Sequence, residues 1–178
     1  MEDRDLSFYN LGDITDLCVL ALVRVYDVLP EETDSDEERI ALPVGYVLVI
    51  DPSRFDPLWK LPGGHAEAGE TPLCAIIREV GGETGLSLSP ERFGYGGKWL
   101  GPHRDHWKLL FVADATRVEV DEYMGTDQEG NEGEVPRFFS VREFQQMAGA
   151  HKMVPDHHNQ LVARGFVFPP GRGTGSAA

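Results

Sequence analysis

Two glutamates four residues apart, Glu79 and Glu83, stand in the segment Gly64 to Leu86, GHAEAGETPLCAIIREVGGETGL. On a helix that spacing puts both carboxylates on one face, side by side. Like charges so placed weaken a helix unless something positive sits between them. Mg²⁺ suits the position. It prefers oxygen ligands, usually keeps several waters, and binds through a few carboxylates together with substrate phosphates. Alone, such a pair reads as an ordinary solvated helix face. Here a glycine loop, Glu70, Pro72 and Arg78 flank it, and that combination points to a site.

A helix must hold the pair, and its limits are legible. Thr71 is a good N-cap, Pro72 fits the first helical position, where a missing N–H costs nothing, and Gly85 is placed to end the helix in a left-handed cap. Leu73, Ile76, Ile77 and Val80 recur at helical spacing and predict a buried face. Ahead of the helix, the Val- and Leu-rich stretch from Asp16 to Leu29 predicts a buried strand. Ile40 to Ile50 predicts a second, with Pro43 suggesting an edge or a bulged entry. WKLPGGHAEAGE predicts a short strand running into the glycine loop. After the helix, RFGYGGKWLG and DHWKLLFVADA predict a hairpin across GPHR. An acidic Gly-rich segment, Met124 to Glu134, then leads to a strand at Arg137 to Ser140. Val141 to Met147 and Asp156 to Arg164 predict two further helices. Strands interleaved with few helices imply a mixed α/β sandwich.

The chain of 178 residues suffices for one core, and no repeat or second hydrophobic centre is visible. A single domain over residues 1–170 is expected, followed by a disordered tail, 171–178. With 30 acidic and 16 basic side chains, the formal net charge is −14. Such a surface repels nucleic-acid backbones and anionic membranes, so neither is an expected partner. An anionic small-molecule substrate would need local positive charge, which a bound divalent metal supplies. The first ten residues are acidic and lack an apolar core, unlike a secretory signal, and no apolar stretch reaches membrane-span length. Cys18 and Cys74 read as buried free thiols, consistent with a cytoplasmic protein. His103 and His106, like His157 and His158, have no cysteine at zinc-site spacing and read as surface histidines.

The segment Gly64 to Leu86 resembles the Nudix box, a 23-residue pattern in which Gly64, Glu70, Arg78, Glu79, Val80, Glu83, Gly85 and Leu86 all fall in register. PGG at its entrance and EGEVPRFFSVREF downstream also resemble the family. The resemblance implies a Nudix-like α/β/α sandwich with a mixed β-sheet. It implies Mg²⁺ or Mn²⁺ held by Glu79, Glu83 and the main-chain carbonyl of Gly63. Gly64, Glu70 and Arg78 would support that site, with Arg78 pairing to an acidic neighbour. The implied reaction is hydrolysis of a diphosphate linkage in a nucleoside diphosphate joined to another group, such as ADP-ribose or a nucleotide sugar. Homodimers are common among such folds.

One position of the box departs, since Gly82 stands where the pattern has the first of two glutamates. Three readings follow. The site works with Glu79, Glu83 and a loop residue; or the chain is a catalytically impaired nucleotide-binding or regulatory protein; or the sequence is an altered form. Relatives often draw a general base from a loop after the hairpin. The acidic segment offers Glu129, Glu132 and Glu134, of which Glu132 is the first candidate and Glu134 the second. Trp59 could stack a base, and Arg104 and Lys108 could meet phosphate oxygens. Each of these three also reads simply as a core aromatic or a surface charge. Pro102, sixteen residues past the box, resembles a placement in ADP-ribose-cleaving members.

Overall fold

Ten residues, Leu17–Tyr26, form strand β1, and nine of them are buried. Successive side chains of a strand point to opposite faces. Leu17, Val19, Ala21, Val23 and Val25 enter one core, while Cys18, Leu20 and Leu22 enter another. A strand covered on both faces has no polar side, hence the apolar run from Leu17 to Val23.

The computed structural model describes residues 9, 11, 16–30, 42–102, 106–125 and 133–167. Arg104, Glu129, Glu132, His103 and the tail 171–178 lie outside the described residues. The remaining strands are β2 (Gly45–Ile50), β3 (Gly63–His65), β4 (Phe93–Leu100), β5 (Trp107–Thr116) and β6 (Val135–Ser140). The sheet order is β4-β5-β1-β2-β6, with β3 paired to β1 off that path. Only β1 and β5 run parallel among these pairings, so the sheet is mixed. Along its full length β1 pairs with β5; its other edge is shared by β2 at Val23–Val25 and β3 at Cys18–Leu20. The chain forks away from β1 between these two partners, and the site lies at that fork.

Helices cover both faces. Leu73, Ile76 and Val80 of α1 (Pro72–Thr84) and Val120 of α2 (Arg117–Tyr123) pack into the first core. Phe144 and Met147 of α3 (Val141–Gly149) and Leu161 of α4 (Pro155–Ala163) pack into the second. The result is the expected α/β/α sandwich with a mixed sheet. Among the described residues, no helix is long and apolar enough to cross a membrane.

Four readings of the sequence need correction. Pro43 is not part of a strand: β2 begins at Gly45 and runs between β1 and β6, because a proline cannot donate to the ladder of an inner strand. Helix α2 was not foreseen, although Thr116 and Glu119 form a capping box around its first turn. Cys74 is exposed, lying on α1 opposite its buried stripe, whereas Cys18 is buried. His157 is no surface residue. It is only 6% exposed, and its Nδ1 accepts the Leu61 N–H at 3.2 Å.

Candidate active site

Local sequence sets the glutamate helix as expected. The Thr71 hydroxyl accepts the Cys74 N–H at 3.2 Å, Pro72 opens the helix, and Gly85 closes it at φ 83° with its N–H donated to the Gly81 carbonyl. The helix lies across β3, and its two carboxylates come down on two consecutive glycines. Glu83 Oε2 accepts the Gly63 N–H at 2.7 Å. Glu79 lies so close over Gly64 that a Cβ there would come within 2.6 Å of Glu79 Oε1. Gly63 is equally constrained from the other side. Its φ is +143°, and a Cβ would meet the Val19 carbonyl oxygen at 2.1 Å. At Gly63 the close approach is of backbone, which only glycine permits, whereas at Gly64 it is of the Glu79 carboxylate, the end of a flexible side chain.

Arg78 and Glu70 are joined directly, and Arg78 reaches Glu79 as well. The Arg78 guanidinium donates to both Glu70 oxygens at 3.0 and 2.9 Å, to Glu79 Oε1 at 2.8 Å, and to the His65 carbonyl at 3.1 Å. Those bonds tie the glycine loop, β3 and α1 into one unit. They also hold the Glu70 carboxyl below the usual carboxylate range. Glu70 is further fixed by the Glu67 N–H, donated at 2.9 Å.

Lys60 was not foreseen as a site residue. Its ammonium donates to Glu83 Oε1 at 2.8 Å and to Glu134 Oε1 at 3.0 Å. All three side chains are withdrawn from water, at 19% exposure for Lys60 and 8% for each glutamate. The backbone of Lys60 is clamped to β2 by two hydrogen bonds with Val49, at 2.8 and 3.0 Å. Burial alone would lower the lysine pKa, but the two carboxylates outweigh it and the ammonium is held above its ordinary value. Glu83 moves the other way from most paired carboxylates. Burial pushes it up to about 7 and the Glu134 charge adds to that, against the opposing pull of Lys60 and the Gly63 N–H. One ammonium is shared by two buried acids, so neither has a full counter-charge. The second oxygen of Glu134, Oε2, is buried with no hydrogen-bond partner among the described residues. A sequence signal for Lys60 existed: it is the lone cation in the apolar run LWKLP, and lysine is seldom buried unless paired.

Of the candidate bases and substrate contacts, Glu134 lies beside Glu83 through Lys60, while Glu132 and Arg104 lie outside the described residues. Lys108 is engaged elsewhere. Its ammonium donates to Asp156 at 2.8 Å, beside the Trp99 indole N–H bound to the same carboxylate. Trp59 packs edge-on against Phe139, with centroids 4.8 Å apart, in the second core. It lines a cavity of about 290 Å³ with Arg137, Phe139, Glu143, Met147 and Lys152. Among the described residues, no three His, Cys, Asp or Glu side chains converge on one point. Lys60 and Arg78 hold the carboxylates in separate pairings instead.

Comparison with known proteins agrees with this fold. The NUDIX domain family profile matches residues 27–163. The phosphatase NudJ of Escherichia coli K12 is 32% identical over 101 residues, covering 57% of this chain and 63% of NudJ, so the chain spans less than two thirds of that relative. Among solved structures, a mutT/nudix family protein from Listeria innocua superposes with a TM-score of 0.58 at 15% identity, covering 87% of this chain and 94% of that one. A NUDIX hydrolase from Nitrosomonas europaea does so at 0.52 with 20% identity, covering 86% and 92%. At such identities the structures speak for the fold alone. The box in register and a profile match over most of the length establish the rest: this chain belongs to the Nudix family.

Proposed function

We propose that the chain hydrolyses a diphosphate linkage in a nucleoside diphosphate joined to another group, in the class of ADP-ribose and nucleotide sugars, with Mg²⁺ or Mn²⁺. The observation that carries this reading is the cluster of Glu83, Glu134 and Lys60 against the glycine loop, with an oxygen on Glu134 that is buried and unpartnered among the described residues. That oxygen is an acceptor withdrawn from water and costly to leave unmet, as expected at a site completed by a ligand. The donor types, carboxylate and carbonyl oxygens, suit a hard divalent cation, although Lys60 and Arg78 now hold the carboxylates apart. Glu79, Glu83 and the carbonyl of Gly63 would hold it, with Glu79 and Glu83 exchanging their present partners to do so. When bound, such a cation neutralises the diphosphate and polarises its phosphoryl oxygens.

The chain's own residues perform the rest. Glu70 and Arg78 orient the helix and the loop, so the carboxylates are placed before substrate arrives. Glu134, through Oε2, is the proposed general base. It takes a proton from the water that attacks phosphorus as the bond to the leaving phosphate oxygen breaks. Burial keeps bulk water from competing at that oxygen. NudJ is named a phosphatase, and hydrolysis of a phosphorus–oxygen bond is common to both readings. Gly82 favours a second reading, a nucleotide-binding protein with impaired turnover.

A substrate panel in Mg²⁺ and Mn²⁺ separates the two. It compares the native chain with Glu83→Gln and Gly82→Glu on ADP-ribose, nucleotide sugars, dinucleoside polyphosphates and nucleoside triphosphates. The expected result is turnover by the native chain that falls by about a hundredfold or more in Glu83→Gln. A silent native chain with activity appearing in Gly82→Glu would replace hydrolysis with binding.

A further inference from the structure

Behind the carboxylate cluster lies a cavity that the hydrolase reading does not use. Trp59 and Lys60 are neighbours on one extended segment, so their side chains leave on opposite faces of the sheet. Lys60 turns to Glu83 of α1, whereas Trp59 packs on Phe139 in the second core. On β6, Arg137 stands over that same Phe139 ring, while Glu134 reaches back to Lys60. The cavity of about 290 Å³ lined by Trp59, Phe139 and Arg137 is therefore on the far face from Lys60 and Glu83.

We propose that this cavity is a separate binding site for a planar ring carrying one phosphate, of the size of a nucleoside monophosphate. Its charge is opposite to that of the molecule. Arg137 and Lys152 line it against one carboxylate, Glu143, on a chain whose net charge is −14. Both oxygens of Glu143 are already engaged, Oε2 by the Ser140 N–H and hydroxyl, and Oε1 by Arg137 at 3.2 Å. The Lys152 ammonium forms no ion pair among the described residues. The two cations are also held in place. The Arg137 guanidinium lies 4.7 Å from the Phe139 ring centroid, and the Trp59 N–H is donated to the Lys152 carbonyl at 3.0 Å. Between them the half-buried Trp59 indole, edge-on to Phe139, leaves an apolar wall on which a ring can stack, with the Gln146 amide beside it. A guanidinium and an ammonium suit a phosphate. Size then sets the class. Small-molecule pockets commonly run from about 300 to about 1,000 Å³, so this one takes a single nucleotide rather than a dinucleotide. A surface ion pair built only for stability needs neither the aromatic wall nor the second cation.

Titration calorimetry of the full chain with AMP, adenosine and inorganic phosphate, in a chelating buffer of low salt, tests the site without turnover. The chelator keeps divalent cations from holding a phosphate at the glutamate helix. The expected result is AMP binding with Kd below about 1 mM, and binding at least about tenfold weaker for adenosine and for phosphate alone. Arg137→Gln and Lys152→Gln change exposed side chains and should each weaken AMP by about tenfold. Trp59→Leu should remove the advantage of AMP over phosphate; if it does not fold, the two exposed variants decide. AMP binding undiminished in both exposed variants places the ligand elsewhere and overturns the proposal. So does phosphate binding as tightly as AMP, which marks a mere anion patch, and so does no AMP binding at millimolar concentration. Turnover in the substrate panel without this binding sinks only the present inference, whereas this binding with a silent panel sinks only the hydrolase reading.

Discussion

Glu83 is gripped by a backbone N–H on one side and an ammonium on the other, while Glu79 rests directly over Gly64. Adding a methyl group in Gly64→Ala would push against the end of a flexible side chain, so the fold should survive with little change in melting temperature. The Glu79 carboxylate should not stay in place, and kcat/KM should fall between about tenfold and a hundredfold. A drop in stability matching the drop in activity would show that Gly64 serves the fold instead. His157 gives a pH prediction at the same scale. Burial pushes its imidazole down to about 4. An unfolded chain protonates histidine near pH 6.5. Its contribution is therefore complete above pH 6.5. As pH falls toward 4, the unfolded state binds a proton the folded state refuses, and up to roughly 3 kcal/mol is lost. Glu83 works in the opposite sense in part of this window, since a raised carboxyl pKa makes the folded state the better proton acceptor. His157→Gln keeps an acceptor for Leu61 and removes the imidazole titration. Denaturant unfolding at pH 7 and pH 4.5 should show a larger loss for the native chain; equal losses would clear His157 of the effect.

At the scale of elements, α1 was legible because its signals are local. Its cap, its proline, its apolar stripe and its terminal glycine act within the helix itself. The one intrinsic weakness is the Gly81–Gly82 pair. A Cβ at Gly81 meets only the Leu86 carbonyl, at an ordinary 3.9 Å. Gly81→Ala should therefore stabilise the chain by about 0.5 to 1 kcal/mol, raising the melting temperature by about 2 to 4 °C. No change would mean that neighbours must shift to accept the methyl. Helix α2 escaped notice because it is a short turn of helix after a long strand, and its buried side chain is Val120 alone. Its capping box was written in the sequence, but the apolar periodicity that usually draws attention was absent. Strand β2 was placed too early for a related reason. Ile40 to Ile50 looks continuous by composition, yet Pro43 cannot join a ladder that runs between two neighbours.

For the whole molecule, a net charge of −14 makes divalent cations general attractants, so binding at the site has to be told from screening. Mg²⁺ should raise the melting temperature saturably, above the effect of Na⁺ at equal ionic strength, because a ligand that binds only the folded state stabilises it by mass action. Glu83→Gln should lose the saturable part and keep the screening part. If both proteins respond alike, the cation acts on the surface rather than at the helix. The sheet has its own part in this. Since β1 shares one edge between β2 and β3, the chain passing between them carries Lys60 toward α1, and β6 brings Glu134 to meet it.

The sequence by itself determined the glutamate helix, the glycine entrance, the buried central strand, the α/β character and the family, since each rests on neighbours close along the chain. The support of Glu79 by Arg78 and Glu70 was also legible, because all three fall within one box. Only the tertiary structure decided which distant residues meet beside the glutamate helix. Lys60 and Glu134 are 74 residues apart and meet through the ordering of β2 and β6, which no local spacing encodes. It likewise turned His157 inward, where a residue of α4 accepts a backbone N–H just ahead of the glycine loop, 96 positions away. Periodicity records which face of an element is buried; it does not record what that face is buried against. A lysine that reads as an ordinary charge in the chain becomes, once the sheet is assembled, the cation shared by two buried acids.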